Sequence, residues 1–139
     1  MYSPRSVVEL STLTGACVVA LGEYAAGLFT DSDDLASDLL AASKRSNEVL
    51  WRLPVLKGHM EEMKGSQADL NSTGKGREAG ACTAAAFLNH FIEKGVDFAH
   101  IDIAGPAMAS AARGMFPEGG TGFGAGLIAE FLCDSPSNQ

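Results

Sequence analysis

The chain has 139 residues, 46% of them hydrophobic, and a formal net charge of −7, which is one domain's worth of sequence with enough apolar material to bury a core. The acidic balance and the 7% aromatic content argue against a nucleic-acid stacking surface, a phosphate-backbone groove or an anionic membrane surface. No apolar run approaches the ~20 residues that span a bilayer, and no basic segment precedes the first apolar stretch, so a cytoplasmic protein is expected.

Val7-Val8-Glu9-Leu10 predicts a buried strand, Gly15 a tight exit, and Ala16-Cys17-Val18-Val19-Ala20-Leu21 a short apolar helix. Thr12 and Thr14 add hydroxyls able to cap that helix or orient a ligand. A second short strand is expected over Ala25–Thr30, ended by Asp31-Ser32-Asp33-Asp34, whose carboxylates suit the positive end of a helix. Leu35, Leu39 and Leu40 then recur at helical spacing to about Asn47. Trp51-Arg52-Leu53-Pro54 is extended, since the residue before proline avoids the α region, and a short helix follows near Lys57–Met63.

From Gly65 to Gly80 the chain is polar and glycine-spaced, a loop longer than a minimal connector. A long helix is expected over Glu78–Lys94, a core strand over Phe98–Ile103, a glycine-rich loop over Gly105–Gly126, the end of a last helix over Leu127–Cys133, and a disordered tail over Ser135–Gln139. This alternation predicts an α/β fold without an internal repeat or a domain linker.

Cys17, Cys82 and Cys133 form no C-x-x-C pair and are odd in number, the pattern of buried, reduced thiols rather than a disulfide set. His59, His90 and His100 fall on three separate elements and show no H-E-x-x-H spacing. His59 with Glu62 is expected to lie on a solvated helix face, and His100, two residues before Asp102, to be a hydrogen-bonded strand histidine. Ser72-Thr73-Gly74-Lys75 satisfies S-x-x-K, but amid glycines rather than at the opening of a helix. Gly122-Phe123-Gly124-Ala125-Gly126 lacks the preceding strand and following acid of a dinucleotide turn. Lys64, Lys75 and Arg77 flank the polar loop and are expected to be solvated.

Taken together, several of these segments resemble one family. They are Thr12-Leu13-Thr14-Gly15-Ala16, Ala20-Leu21-Gly22, Gly27-Leu28-Phe29-Thr30, Trp51-Arg52-Leu53-Pro54, Ala68-Asp69-Leu70-Asn71 and Gly74. In the same order follow Gly80-Ala81-Cys82-Thr83-Ala84-Ala85-Ala86-Phe87-Leu88, Ala99-His100-Ile101-Asp102-Ile103-Ala104-Gly105 and Gly120-Thr121-Gly122. The order and spread resemble the leucyl aminopeptidases, the di-metal enzymes that remove N-terminal residues from peptides, over about Ser6 to Leu132. The resemblance implies part of a three-layer, zinc-peptidase-like α/β catalytic domain with helices on both faces of the sheet.

By the same resemblance the Leu13 carbonyl would accept from the substrate's free amine or P1′ amide, the Gly15 N–H would donate to the peptide, and Thr12 would line the pocket. Ala104 and Ala107 would floor the pocket for the first side chain, with Met108 at its border. Two divalent ions (zinc, manganese, magnesium or cobalt), an arginine-bound bicarbonate and a homohexamer are implied for the family. Its Asn-Thr-Asp-Ala-Glu-Gly-Arg segment and an earlier lysine-and-aspartate cluster, which carry the metal ligands, the catalytic lysine and that arginine, do not occur among these residues. Glu9 stands where relatives usually show aspartate. The expectation is therefore the C-terminal portion of a catalytic domain over residues 1–134, truncated on its N-terminal side, with substrate-pocket elements but without catalytic or metal-binding residues, and inactive alone. The rival expectation is a non-catalytic domain for folding or oligomer assembly.

Overall fold

Valines and leucines at the start of the chain favour a pleated surface, and the alternation of their neighbours decides which face each side chain meets. The structure, a computed structural model, describes residues 2–112, 114 and 117–134; the tail expected at 135–139 lies outside them. In chain order the elements are β1 (Ser6–Ser11), α1 (Gly15–Leu21), β2 (Ala26–Phe29), α2 (Asp33–Ser46), β3 (Leu50–Leu53), α3 (Lys57–Glu62), α4 (Gly80–Asn89), β4 (Asp97–Asp102), β5 (Met108–Ala109), β6 (Gly119–Gly120) and α5 (Ala125–Asp134).

The main sheet has the order β1-β4-β2-β3. β1 and β4 run parallel with Glu9 opposite His100 and Ser11 opposite Asp102; β2 runs antiparallel to β4 and parallel to β3. Period-two alternation splits the core between the two faces. Ala26, Leu28, Ala99 and Ile101 pack with Leu35 and Leu39 of α2 and Leu127 of α5. Phe29 packs on the opposite face with Cys17 of α1 and Ala81 and Ala85 of α4. The outcome is the expected three-layer α/β arrangement.

Local signals set most boundaries. Thr14 caps α1 by accepting from the Cys17 N–H at 3.0 Å, and Ser32 caps α2 by accepting from the Leu35 N–H at 3.3 Å. Asp33 and Asp34 lie in the first turn of α2, Lys44 and Arg45 in its last, and Asn47 ends it in the left-handed region at φ 60°, each as the helix dipole and αL termination favour. The extended Trp51–Pro54 segment proves to be mainly a sheet strand. Helix α4 is shorter than the expected Glu78–Lys94. Ala79, at φ 50°, precedes its first residue, and after Asn89 the bonds tighten to i→i−3, as in His90 N–H to the Phe87 carbonyl and Phe91 N–H to the Leu88 carbonyl. Within the glycine-rich loop, Met108 and Ala109 pair with Gly120 and Gly119 as a small antiparallel ribbon. A two-residue strand thus does precede the Gly122–Gly126 run, against expectation.

Candidate functional site

Because β1 and β4 are parallel, their carboxyl ends lie side by side, the position where open α/β sheets hold ligands. Asp102, the last residue of β4, is fully buried, and a carboxylate taken out of water must be compensated. Its Oδ1 accepts from the Leu13 N–H at 3.2 Å and the Ala104 N–H at 3.1 Å. Its Oδ2 accepts from the Thr14 N–H at 3.1 Å and the Thr14 hydroxyl at 2.7 Å. One side chain therefore ties the turn after β1 to the turn after β4, and the Thr14 hydroxyl that donates to it also caps α1. The Ile103 N–H to the Ser11 carbonyl, at 2.9 Å, adds a backbone bond between the same two exits.

Asp102 is the organising residue that the sequence reading left aside. The signal was present: a lone acid in the apolar run Ala99–Ala104 must be either paired or exposed. Glu9, of unclear role from sequence, has the same explanation. Its carboxylate bonds His100 Nδ1, while the imidazole, fully buried, stacks on Phe29 with ring centroids 5.5 Å apart. His100 is thus the hydrogen-bonded strand histidine expected.

The six expected pocket residues all lie on the exits of β1 and β4, but not in one cavity. Leu13 lines a cleft of about 850 Å³ between α1, α4 and the 72–80 loop, whose walls include Ala16, Leu53, Met63 and Thr73. Ala104 and Met108 line a second cleft of about 380 Å³ with Val18, Glu23 and Glu118. Thr12 and Gly15 are exposed at the turn. Ala107 is half-buried with its backbone engaged: its N–H donates to the Ile103 carbonyl and its carbonyl accepts from the Thr121 N–H, both at 3.0 Å. Gly15 opens α1, where an N–H has no intrahelical partner, and a Cβ placed on it meets nothing within 4 Å.

Cys17, one turn inside α1, is buried, and its Sγ lies 3.8 Å from the Asp102 carbonyl oxygen. Burial, reinforced by the Asp102 charge, pushes its thiol up to about 11, which keeps it protonated and inert at neutral pH. Burial also pushes up the Cys82 thiol. Cys133 is exposed, unlike the buried thiols expected.

The other motif-like strings have structural roles. His59 Nδ1 accepts from the Leu56 N–H at 3.1 Å, and Glu62 Oε1 from the Lys75 N–H at 2.9 Å. The glycine run leads into α5, whose unpaired first N–H groups Glu48 takes: Gly124, just before the helix, donates to its Oε1 at 2.8 Å and Leu127, in the first turn, to its Oε2. Among the described residues no three His, Cys, Asp or Glu side chains gather to hold a metal ion, and the Asp102 carboxylate is already engaged by four donors. These residues do not fit the ligand set of a di-metal centre. Among the described residues, no helix is long and apolar enough to cross a membrane.

A strand-end turn clamped to a neighbouring parallel strand, inside an α/β/α sandwich, defines an α/β domain whose strand ends lie where open sheets of this class hold ligands. The chain belongs to the cytosol aminopeptidase family: the model of that family's catalytic domain matches residues 1–129. A probable cytosol aminopeptidase of Prochlorococcus marinus is 47% identical over 132 residues, 95% of this chain and 26% of the relative. One from Aquifex aeolicus is 43% identical over 136 residues, 97% of this chain and 27% of the relative. The chain thus spans about a quarter of the length of the curated relatives it matches. Among solved structures, a tomato leucine aminopeptidase mutant superposes with a TM-score of 0.86 at 37% identity, over 94% of this chain and 25% of that one. The bottromycin maturation enzyme BotP in complex with Mn gives 0.87 at 39% identity, over 92% and 28%.

Proposed function

We propose that this chain forms the substrate-holding side of a cytosolic, divalent-metal-dependent aminopeptidase that releases N-terminal residues, leucine preferred, from peptides. The observation that carries this reading is the Asp102 clamp, which fixes the turn at Leu13 and Thr14 against the turn at Ala104 through four hydrogen bonds. Preorganised backbone of this kind binds a peptide without first losing the entropy of ordering a loop. In this reading the Leu13 carbonyl and Gly15 N–H hold the peptide backbone with Thr12 beside them at the turn, and Ala104 and Met108, which line the smaller cleft, receive the first side chain with Ala107 next to them.

Divalent ions would supply carbonyl polarisation and an activated water in the whole enzyme. Residues outside these 139 would hold them, together with the bicarbonate, and the family's oligomer, a hexamer, would enclose the site. The residues present bind, orient and exclude water; they do not cleave by themselves.

The test is twofold. Titrating leucyl-leucine into the isotopically labelled chain is expected to shift the amide resonances of residues 12–17 and 104–108. Shifts confined elsewhere would overturn the pocket assignment. Incubating the chain with a leucyl reporter and added manganese or zinc is expected to give no turnover; chelator-sensitive turnover proportional to the chain would put the metal centre within these residues.

A further inference from the structure

Gly105 sits where the chain leaves no room for a side chain. A Cβ on it would lie 2.0 Å from the Gly22 carbonyl oxygen and 3.1 Å from its carbonyl carbon, where real Cβ contacts do not come below 3.0 Å. Its φ does not fall in the left-handed region, so the local conformation does not call for glycine; the approach of a second backbone does. Gly22 ends α1, and Gly105 lies in the turn that follows β4. The end of the helix and the exit of the strand therefore meet backbone to backbone.

The same two segments build the smaller cleft, of about 380 Å³. Val18 and Glu23 line it from α1 and the residues after it, and Ala104, Gly105 and Met108 line it from the exit of β4. The exit of β4 is braced. The Ala104 N–H donates to Asp102 Oδ1 at 3.1 Å, the Ala107 N–H to the Ile103 carbonyl at 3.0 Å, and the Thr121 hydroxyl to the Pro106 carbonyl at 2.6 Å. The start of α1 is held as well, through Leu13 and Thr14 on Asp102. Movement is left to the last turn of α1. There the Gly22 N–H donates to the Val18 carbonyl at 2.8 Å, so whatever displaces Gly22 carries Val18, a wall of the cleft, with it.

We infer that Gly105 is a specificity-determining residue: by letting the end of α1 close against the exit of β4, it sets the width of the cleft that receives the first side chain of the peptide. The inference rests on the proposed function and adds to it the residue that limits the size of the side chain admitted. A methyl group at position 105 has to part the two backbones by about 1 Å, and a close-packed interior passes such a displacement on rather than absorbing it. The added opening is comparable to one methylene, and one methylene in an apolar pocket changes discrimination by roughly tenfold or more. Widening therefore moves the preference at the first residue from leucine toward phenylalanine. The preference at the second residue stays where it was, because the start of α1 and the turn before it do not move.

The experiment is calorimetric titration of the 139-residue chain with leucyl-glycine, phenylalanyl-glycine and leucyl-leucine, in the wild type, Gly105→Ala and Val18→Ala. Gly105→Ala is expected to raise phenylalanyl-glycine binding relative to leucyl-glycine by about tenfold, while the ratio of leucyl-leucine to leucyl-glycine changes by less than about twofold. Val18→Ala takes side-chain volume from the same wall without moving backbone, and should shift the first ratio in the same direction. A first ratio that is unchanged or moves toward leucyl-glycine in folded Gly105→Ala, or equal shifts in both ratios, overturns the assignment and leaves the peptide-holding turn standing. If Gly105→Ala does not fold, Val18→Ala decides: a shift toward phenylalanyl-glycine upholds the end of α1 as the limiting wall, and an unchanged ratio overturns the assignment. Failure of all three peptides to bind the wild type overturns the reading of the turn, and the Gly105 assignment with it.

Discussion

The Thr14 hydroxyl donates to Asp102 Oδ2 at 2.7 Å across 88 positions of sequence, and the same oxygen caps α1 by accepting from the Cys17 N–H. A single hydroxyl thereby couples the start of a helix to the end of the strand beside β1. Asp102→Ala strands the N–H groups of Leu13, Thr14 and Ala104, and should destabilise the fold by about 3 kcal/mol. Asp102→Asn should cost about 2 kcal/mol, since its amide nitrogen faces donors. Urea unfolding checks both; a loss below about 0.5 kcal/mol for Asp102→Ala would show that the clamp does not hold the turn.

Gly15 separates a folding role from a binding role. Its Cβ position is open and its φ does not fall in the left-handed region, so nothing within the chain demands glycine. Gly15→Val should change stability by less than about 1 kcal/mol. It should also weaken leucyl-leucine binding by about tenfold or more, because a branched side chain blocks approach to the turn. Unchanged affinity in a folded Gly15→Val protein would remove Gly15 from the pocket.

Glu48 is the external cap of α5, taking the Gly124 and Leu127 N–H groups. Glu48→Ala should lower stability by about 1–2 kcal/mol, in the range of other lost caps. The loss should appear first as faster amide hydrogen exchange in the first turn of α5, with α1 unaffected.

Thiol chemistry and alkaline stability follow from Cys17. Native chain at about pH 8 should react with a thiol reagent at Cys133 first, with Cys82 slower and Cys17 reacting only on unfolding. Burial raises the folded thiol from 9.0 to about 11, so the folded state keeps a proton that the unfolded chain gives up. The contribution is fully present below pH 9.0 and is lost as the pH rises toward about 11. Cys17→Ala should show a shallower fall in stability across that window in parallel urea titrations; an identical slope would refute the assignment.

Much of the secondary structure was legible because its causes are local. Thr14, Ser32 and Asn47 mark helix ends whatever surrounds them, and the apolar run Val7 to Leu10 is a strand as expected, though half-buried rather than buried. The expected end of α4 failed because its apolar pattern continues through Phe91 and Ile92, while the backbone tightens after Asn89 and reaches Gly95 at φ 87°. The six pocket residues were placed by resemblance on the exits of β1 and β4. That Leu13 lines one cleft and Ala104 and Met108 another, with Thr12, Gly15 and Ala107 in neither, was not visible, since that depends on which side of α1 each exit faces.

The sequence by itself determined the alternation of strands and helices, the caps, the acidic surface and the family, because these follow from residue order alone. Only the tertiary structure decided that β4 inserts between β1 and β2, and with it that Asp102 meets Thr14 and Glu9 meets His100. Strand order is a matter of long-range pairing: each strand's apolar face satisfies several neighbours equally well, and the observed arrangement is one that leaves the buried Asp102 carboxylate with donors.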